Sequence, residues 1–378
     1  MRVCDYVIDY LYKKGINHIF QVTGRGSLFL NDAVAKHKYI DGVSLHHEQS
    51  CSFAAIAYAE KTNNMGACLV STGCASTNSL TGTLCAWQDG IPCIYISGQN
   101  ILKETTNYTG LNLRTYGQQE FNITELVKPI TKFAAMLQDP EDIHFILDKA
   151  ITIANTGRKG PVWIDIPLDL QSSLIDPEIL NKKSFQPKID LYNEQFPTKY
   201  LINEIQKSCR PIILIGKGVK HANAVKDLKE FIHKNKIPLV YSASAPDIFG
   251  SCNDLSIGSV GSMGCSRAGN FAIQNSDLVL VIGSRLSSLT TGEEYCKFAR
   301  SAKKIVVDID LDEHQKKGIE IDKFIKMDAK VFLKNLNIIE FKLKTSEWVL
   351  KCLHWKKLFA QVENHFKSKD VIDLYDLS

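Results

Sequence analysis

Short apolar runs alternate with amphipathic segments of helical length from the start of the chain to about residue 170. The apolar runs are rich in Val, Ile and Cys with little polar alternation, which is typical of strands covered on both faces of a parallel sheet. Residues 1–172 are therefore predicted to form one doubly wound α/β domain. Strands are predicted in NHIFQV, GVSLH, GACLVS, PCIYIS and PVWIDIP, and helices over residues 5–14, 27–37, 48–61, 77–88 and 141–153.

The pattern lapses over residues 173–197, where three prolines and many polar side chains indicate a linker. A second α/β series follows over residues 198–340, with strands predicted in PIILIG, IPLVYS, LVLVIG and KIVVDID and a long Gly/Ser-rich loop after the second. Apolar side chains at helical spacing over 347–366 predict an amphipathic helix, so 341–378 are interpreted as a helical linker that stops where a further domain would begin. The predicted fold class is α/β, with two doubly wound, mostly parallel-sheet domains.

Composition excludes several classes of function. The 378 residues carry 45 Lys and Arg against 41 Asp and Glu, and the net charge of +4 is too weak and diffuse for a nucleic-acid footprint. No apolar run approaches the ~20 residues of a membrane helix, and the charged N-terminus is unlike a signal peptide. We therefore expect a cytoplasmic protein that binds neither nucleic acid nor membrane. The 11 cysteines form no Cys-x-x-Cys pair, which predicts buried free thiols and no metal site.

The sharpest chemical feature of the first half is the sequence LHHEQS, in which Glu48 stands where a strand gives way to a helix. An acid at that place is commonly a helix cap or a partner of the helix dipole. The alternative is a partly buried carboxylate that holds or donates a proton. Further along, STGCASTN (71–78) supplies small residues between a strand and a helix, which leaves room for a flat or phosphorylated ligand.

Three features of the second half are compatible with a nucleotide, and each has a plainer alternative. GKGVKH (216–221) suits either a phosphate at a helix N-terminus or a tight turn between strand and helix. Arg285, in the loop after LVLVIG, suits either a phosphate or a solvated loop. Asp308 ends a strand, where an acid either binds ribose hydroxyls or caps the next helix.

The order and spacing of these segments resemble the thiamine-diphosphate-dependent enzymes of the acetolactate synthase group. The likeness covers residues 1–340 colinearly, and it implies a pyrimidine-binding domain followed by a central Rossmann-like domain. It is carried by HHEQ, LVSTGCASTNSLTGTLCAWQDGIPCIYISGQ, LRTYGQQE and GPVWIDIPLDLQ in the first half, and by PIILIGKGV, GSVGSMGCSRAGNFAIQNSDLVLVIGSRLSSLTTG and FARSAKKIVVDIDLDE in the second.

The resemblance also implies roles for individual residues. Glu48 matches the family glutamate that hydrogen-bonds N1′ of the cofactor's aminopyrimidine, so that the ring nitrogen removes the proton from thiazolium C2. In the central domain, matching positions lie around FAD, and because several relatives keep this fold without flavin, both alternatives stay open. The cofactor-binding residues implied are Gly24, Gly26, Ser71, Thr72, Gly73, Asn78 and Gln119 for thiamine diphosphate, and Gly261, Arg285 and Asp308 for FAD.

The activity implied is carboligation, in which a 2-keto acid such as pyruvate is decarboxylated and its two-carbon unit passes to a 2-keto acid or a keto-sugar acceptor of surface-polysaccharide pathways. The alternatives are a decarboxylase or oxidase of the same family and a noncatalytic nucleotide-binding or regulatory module. Arg25 departs from the family's Pro-Gly-Gly-like turn, and we hypothesise that it meets a phosphorylated or nucleotide-linked acceptor.

Enzymes of this family also have a third α/β domain, which binds the cofactor's diphosphate through Mg²⁺ with a Gly-Asp-Gly motif. No Gly-Asp-Gly occurs in the 378 residues, so we expect this chain alone to bind the cofactor poorly and to turn over little. In the family the cofactor lies between subunits. The partners implied are therefore a homodimer or tetramer, or a complex with a separate diphosphate-binding chain.

Overall fold

The structure is a computed structural model, and it describes residues 1–180, 185 and 195–359. The chain divides into two compact units, Met1–Asp190 and Leu191–Ser378, called here the N-terminal and C-terminal units. Each unit contains one six-stranded sheet in which neighbouring strands run parallel. This arrangement confirms the predicted α/β fold class.

The N-terminal sheet has the strand order β2-β1-β3-β4-β6-β5. Its strands are β1 (His18–Gln21), β2 (Asp41–Ser44), β3 (Gly66–Val70), β4 (Cys93–Gln99), β5 (Phe133–Met136) and β6 (Val162–Pro167). Its helices are α1 (Val3–Lys13), α2 (Leu28–Lys36), α3 (Glu48–Thr62), α4 (Cys74–Thr77), α5 (Leu80–Asp89), α6 (Thr106–Thr109), α7 (Ile123–Val127), α8 (Ile143–Asn155), α9 (Leu168–Ser172) and α10 (Pro177–Leu180).

The C-terminal sheet has the strand order β12-β11-β10-β7-β8-β9. Its strands are β7 (Pro211–Ile215), β8 (Leu239–Ser242), β9 (Ser256–Val260), β10 (Leu278–Ile282), β11 (Lys303–Asp308) and β12 (Lys323–Lys326). Its helices are α11 (Thr198–Lys207), α12 (Gly218–His221), α13 (Val225–Asn235), α14 (Arg267–Asn275), α15 (Ser288–Thr291), α16 (Ala329–Ile338) and α17 (Ser346–Leu358).

Each sheet separates two apolar cores, because alternate residues of a strand point to opposite faces. On β3, Leu69 packs into one core and Cys68 into the other. On β7, Ile213 and Leu214 divide between two cores in the same way. Burial on both faces explains why these strands read as continuous apolar runs.

The segment predicted as a long Gly/Ser-rich loop contains the strand β9 and the helix α14, so that prediction was wrong. The Ser266 side chain caps α14 by accepting the amide of Gly269. A methyl group added at Gly269 would lie 2.4 Å from the carbonyl oxygen of Ser259, so the small residues let this helix pack directly on β9. Such close packing needs few apolar side chains, and the hydrophobic pattern therefore missed it.

Two edge strands, β5 and β12, also lie where the sequence predicted none. Their burial is mixed, so neither forms an apolar run of the kind that identified the central strands. The predicted helix over 347–366 begins at Ser346 and is described as far as Leu358, and its residues 360–366 lie outside the described part. The predicted linker also falls partly outside it, although residues 177–180 form α10.

The prediction that the cysteines are buried free thiols is confirmed for some of them. Cys4, Cys51, Cys68, Cys93 and Cys352 are buried free thiols, and burial raises the pKa of the Cys51 thiol to about 11. Four others are exposed, because they lie in turns or at element ends rather than in apolar strands; these are Cys74, Cys209, Cys252 and Cys296. Among the described residues, no helix has the length and hydropathy needed to cross a membrane.

Candidate functional site

The carboxyl ends of β1 and β3 form the topological switch point of the N-terminal sheet, since the chain leaves β1 towards β2 and then returns to the other side with β3. Open α/β sheets bind ligands in the crevice at such a point. The loops after β1 and β3, and the start of α3 after β2, all lie at this edge of the sheet. We call it the N-terminal crevice.

Glu48 is the first residue of α3, and its side chain does not cap the helix. The cap is His47, which has extended backbone and whose Nδ1 accepts the amide of Gln49 at 3.1 Å. The Glu48 carboxylate instead accepts a hydrogen bond of 2.9 Å from Nδ2 of Asn78, the residue that follows α4. Glu48 keeps a favourable place at the positive end of the helix dipole, but its half-buried carboxylate is turned towards the loop after β3.

The loop after β1 packs tightly against the loop after β3. The amide of Gly26 donates to Oγ of Ser71 at 3.0 Å. A methyl group added at Gly26 would lie 1.7 Å from Oγ1 of Thr72, so only glycine allows this approach. Gly24 lies beside Ser71 in the same way. The buried Oγ1 of Thr72 has no hydrogen-bond partner among the described residues, which leaves a polar group available to a ligand.

The segment after β4 completes this edge of the crevice. Gly73 has φ +57, and a methyl group there would lie 1.7 Å from the carbonyl oxygen of Gln119. Gln119 itself has φ +58, although it is not a glycine. On the neighbouring residue, Oε1 of Gln118 accepts a hydrogen bond of 2.8 Å from Nη1 of Arg25. The structure thus brings together the eight residues that the sequence predicted for this crevice: Gly24, Gly26, Glu48, Ser71, Thr72, Gly73, Asn78 and Gln119.

One residue at this crevice had no predicted role. Gln171, fully buried on α9, donates from Nε2 to the carbonyl of Gly26 at 2.6 Å and to that of Ile166 at 2.8 Å. Its Oε1 also accepts the amide of Leu30 at 3.4 Å. The side chain therefore fixes the glycine loop from behind, over 145 residues of sequence. No local signal marks it, since a glutamine at the end of a short helix is commonly exposed.

The C-terminal sheet has its own switch point, between β7 and β10. The glycines of GKGVKH pack there against the loop after β10: the amide of Gly218 donates to the carbonyl of Gly283 at 3.0 Å, and a methyl group at Gly216 would lie 2.3 Å from that same oxygen. The following helix α12 has four residues. This geometry favours the tight-turn interpretation of GKGVKH.

The three candidate FAD residues follow three different strands of the C-terminal sheet. Gly261 follows β9, where its amide and carbonyl both bond the side chain of Asn270. Arg285 is exposed in the loop after β10. Asp308 ends β11, and its carboxylate accepts the amide of Asp310 at 3.0 Å and lies 3.4 Å from Nε2 of His314. The loop after β10 reaches Gly261 through Leu289, whose carbonyl accepts the amide of Ser262.

Two parallel α/β sheets, each with loops converging at a switch point, define a protein of the cofactor-binding α/β class. Residues 1–126 match the thiamine pyrophosphate enzyme N-terminal TPP binding domain, and residues 198–336 match the thiamine pyrophosphate enzyme central domain. The chain therefore belongs to the thiamine pyrophosphate enzyme family, as the resemblance of its sequence motifs predicted.

Curated relatives agree with this assignment. The chain is 30% identical to the acetolactate synthase large subunit of Buchnera aphidicola from Schizaphis graminum, over 97% of this chain and 64% of that protein. It is 32% identical to the probable acetolactate synthase large subunit of Methanocaldococcus jannaschii, over 95% and 60%. With acetolactate synthase 1 of Nicotiana tabacum the identity is 29%, over 91% and 51%. The chain thus spans between half and two thirds of the length of these relatives.

Proposed function

We propose that this chain supplies the pyrimidine-binding and central domains of an acetolactate synthase-like carboligase, which decarboxylates a 2-keto acid and transfers its two-carbon unit to a second carbonyl compound. The observation that carries the proposal is the Glu48 carboxylate, which faces the N-terminal crevice and is held there by Asn78 at 2.9 Å. A glutamate that only completed a helix end would have no need of this amide, because His47 already caps α3.

The polar groups of the N-terminal crevice fit the aminopyrimidine end of thiamine diphosphate. They comprise one carboxylate (Glu48), the amides of Asn78 and Gln119, and the unpartnered hydroxyl of Thr72. Hydroxyls, amides and a single acid suit a neutral heteroaromatic ring with ring nitrogens and an amino group. The loops after β1 and β3 pack directly against each other at Gly24 and Gly26.

Thiamine diphosphate, when bound, supplies a nucleophilic carbon and an electron sink for the carbanion that decarboxylation leaves. The chain's own contribution is the proton at Glu48: Oε1 or Oε2 holds it and passes it to the ring nitrogen of the bound pyrimidine. Asn78 fixes the rotamer of Glu48 by its hydrogen bond to Oε2. Thr72 and Gln119 would meet the bound ring from the neighbouring loops, and the glycine loop that supports them packs directly against Ser71 and Thr72.

The Glu48 assignment is tested by calorimetry of thiamine diphosphate with Mg²⁺ and by turnover of pyruvate, both with and without a supplied diphosphate-binding domain from a relative. We expect Glu48→Gln to keep the fold and the binding but to lower turnover by about 10²–10⁴-fold, since the proton transfer is lost. Glu60, at the other end of α3, provides the control variant Glu60→Gln, which should leave turnover unchanged. Undiminished turnover in Glu48→Gln would exclude the proposed role.

We propose that Mg²⁺ and the diphosphate are bound by groups other than the residues described here. Among those residues, no cluster of three or more His, Cys, Asp and Glu side chains has the arrangement of a metal site. A separate domain or chain is the source that the family resemblance implies. We derive no catalytic step for the magnesium ion from this chain.

We further propose that the N-terminal unit meets a second copy of itself, as a dimer or within a tetramer. Helices α3 and α5 pack together and carry the exposed apolar side chains of Phe53, Leu84 and Trp87, each about two fifths exposed. Apolar side chains of this size, on the helix that begins with Glu48, are typical of an interface next to a shared site.

A flavin at the switch point of the C-terminal sheet, called here the C-terminal crevice, is a separate proposal, supported by the places of Arg285 and Asp308 after the neighbouring strands β10 and β11. Its fit is partial, because Asp308 already bonds Asp310 and lies close to His314. Visible absorbance of the purified protein tests it directly. Protein that neither carries flavin nor takes up added FAD would contradict the proposal.

Acceptor choice is proposed to depend on Arg25, whose guanidinium bridges to Gln118 at the exposed mouth of the N-terminal crevice. A cation at that place suits a phosphorylated or nucleotide-linked keto-sugar better than a plain 2-keto acid. Unchanged acceptor selectivity in Arg25→Ala would contradict this.

Two alternatives to a carboligase remain. The first is a decarboxylase or oxidase of the same family, which would release an aldehyde or an acid without joining it to a second carbonyl compound. The second is a noncatalytic module, against which the Glu48–Asn78 pair argues.

A further inference from the structure

We propose that Asp165, Gln99 and Asn100 are positioning residues that hold the segment 118–121 in the conformation that forms one edge of the N-terminal crevice. The consequence for the cofactor rests on the proposed function. The hold on the segment is a property of the chain itself and is measured independently of any ligand.

The inner part of this arrangement is a network of hydrogen-bonded polar side chains buried within the sheet. Asp165 lies on β6 directly opposite Ser97 on β4. Oγ of Ser97 donates to Oδ1 of Asp165 at 2.6 Å and accepts Nε1 of Trp163 at 2.8 Å. Nε2 of Gln99 donates to Oδ2 of Asp165 at 3.1 Å. Asp165, Ser97 and Gln99 are each no more than 1% exposed, and burial raises the pKa of Asp165 to about 7.

The outer part of this network reaches the edge of the crevice through the side-chain amides of Gln99 and Asn100. Nε2 of Gln99 also donates to the carbonyl of Phe121 at 2.9 Å. Nδ2 of Asn100 donates to the carbonyl of Gln118 at 2.8 Å, and the amide of Asn100 bonds Oε1 of Gln99 at 3.0 Å. The two carbonyls that flank residues 119 and 120 are therefore held by neighbouring amides, and Asp165 sets the orientation of the first amide.

The segment needs this hold because of the backbone of Gln119. Its φ of +58 places an L-residue in the left-handed region, at a cost of about 1–2 kcal/mol, so the surrounding structure must impose it. In this conformation the carbonyl of Gln119 packs against Gly73. Without the two amide contacts, the residue is expected to relax and the edge formed with Gly73 to open.

Stability alone does not account for an acid at this position. A buried carboxyl is costly to desolvate, and apolar side chains of similar volume fill a sheet at lower cost. Buried polar groups of this kind are retained in some proteins because they specify one conformation. In this chain the conformation specified is that of a segment that borders the crevice.

Amide hydrogen exchange of the full chain without ligand tests the hold. Gln99→Leu removes both donor contacts, and we expect the amides of residues 117–123 to exchange about five- to tenfold faster, as the loss of one to two hydrogen bonds predicts. Asp165→Asn keeps an acceptor for Gln99 and should stay within about twofold of the wild type. The control is Leu147→Ala on α8, which leaves a cavity in another core and should not accelerate these amides selectively.

The double variant Gln99→Leu/Asp165→Leu separates positioning from stability. It leaves no unpaired acid, so its melting temperature should recover relative to Gln99→Leu, whereas exchange of residues 117–123 should stay fast. Slow exchange in the double variant, or unchanged exchange in Gln99→Leu, would overturn the proposal.

Thiamine diphosphate with Mg²⁺, added together with the diphosphate-binding domain of a relative, links the hold on residues 118–121 to the proposed function. In the wild type the cofactor should slow exchange over residues 117–123, and Gln99→Leu should weaken its binding about five- to tenfold. If the cofactor slows nothing in the wild type while exchange still depends on Gln99, the proposed function fails and the positioning role stands. Equal cofactor affinity in wild type and Gln99→Leu would overturn the cofactor part of the inference.

Discussion

The N-terminal and C-terminal units have similar sheets, with a switch point at the carboxyl ends of the strands, yet they use polar groups there in different ways. In the N-terminal crevice Glu48 has a neutral amide as its hydrogen-bond partner, and the buried hydroxyl of Thr72 has none within the described part of the chain. In the C-terminal unit the acid at the end of β11, Asp308, is occupied by the backbone of Asp310 and by its approach to His314. The topology of the sheet determines where a ligand can bind. The hydrogen bonds that the side chains already make determine which of them can act on that ligand.

The buried support behind the two crevices differs as well. The N-terminal unit holds its crevice with side-chain amides, from Gln99, Asn100 and Gln171, that bond backbone carbonyls. In the C-terminal unit, backbone packs directly on backbone, as Gly216 and Gly218 do against Gly283. The first arrangement fixes backbone conformations through side chains that a substitution can remove. The second relies mainly on the close approach of glycines, with one side-chain amide, that of Asn270, bonding the backbone of Gly261.

The largest expected effect is a fall in stability with rising pH that originates at Asp165 in the N-terminal unit. Burial raises the pKa of Asp165 from 3.8 to about 7; the hydrogen bonds from Ser97 and Gln99 oppose this increase and the charge of Glu120 adds to it. The folded state therefore keeps a proton that the unfolded chain releases between about pH 4 and 7, and stability should fall across that window and level off above it. The shift corresponds to a loss on the order of 4 kcal/mol. Denaturant unfolding at several pH values measures it, and a slope that persisted in Asp165→Asn would contradict the assignment.

The next effect is steric, at Gly73. Gly73→Ala adds a methyl group 1.7 Å from the carbonyl of Gln119 at φ +57, so we expect a loss of about 3 kcal/mol and displacement of residues 118–121. Gly110→Ala is a control for positive φ alone: Gly110 has φ +65 and ψ 8, in the left-handed helical region, with nothing within 4 Å of the added methyl, and it should cost only about 1 kcal/mol. Equal losses in the two variants would show that backbone strain, and not contact with Gln119, explains the effect.

A smaller effect is expected for the corresponding glycine of the C-terminal unit. Gly216→Ala places a methyl group 2.3 Å from the carbonyl of Gly283 and should destabilise the protein by about 2 kcal/mol, as overpacking does. Because this glycine joins two loops of the C-terminal unit, the variant should leave thiamine diphosphate binding at the N-terminal crevice unchanged. Calorimetry of unfolding and of ligand binding separates the two quantities. A selective loss of FAD uptake without destabilisation would instead restore the phosphate interpretation of GKGVKH.

Hydrophobic periodicity was sufficient for the central strands of both sheets, because residues such as Ile213 and Cys68 are buried between helical layers and form uninterrupted apolar runs. It failed for β9 and α14, whose contact depends on glycine and serine rather than on apolar side chains. At the site, the sequence motifs identified Glu48 and Asn78 but could not show the hydrogen bond between them. The roles of Gln171 and Gln99 depend on contacts with distant parts of the chain, and no local pattern records such contacts.

The smallest effect distinguishes Glu48, which is proposed to act on a ligand, from Asp308, whose carboxylate already has partners within the protein. Asn78→Ala removes an exposed hydrogen bond and should change the free energy of unfolding by about 0.5 kcal/mol, while cofactor binding at the N-terminal crevice weakens because the amide of Asn78 is itself one of the groups proposed to meet the pyrimidine. Asp308→Ala removes the acceptor for the Asp310 amide and the neighbour of His314, and it should cost about 1–2 kcal/mol with no effect on that binding. The two variants should therefore show opposite orders for stability and for binding, measured by denaturant unfolding and by calorimetry. If Asn78→Ala cost more stability than Asp308→Ala, the Glu48–Asn78 pair would be structural, and the contrast between the two crevices would no longer hold.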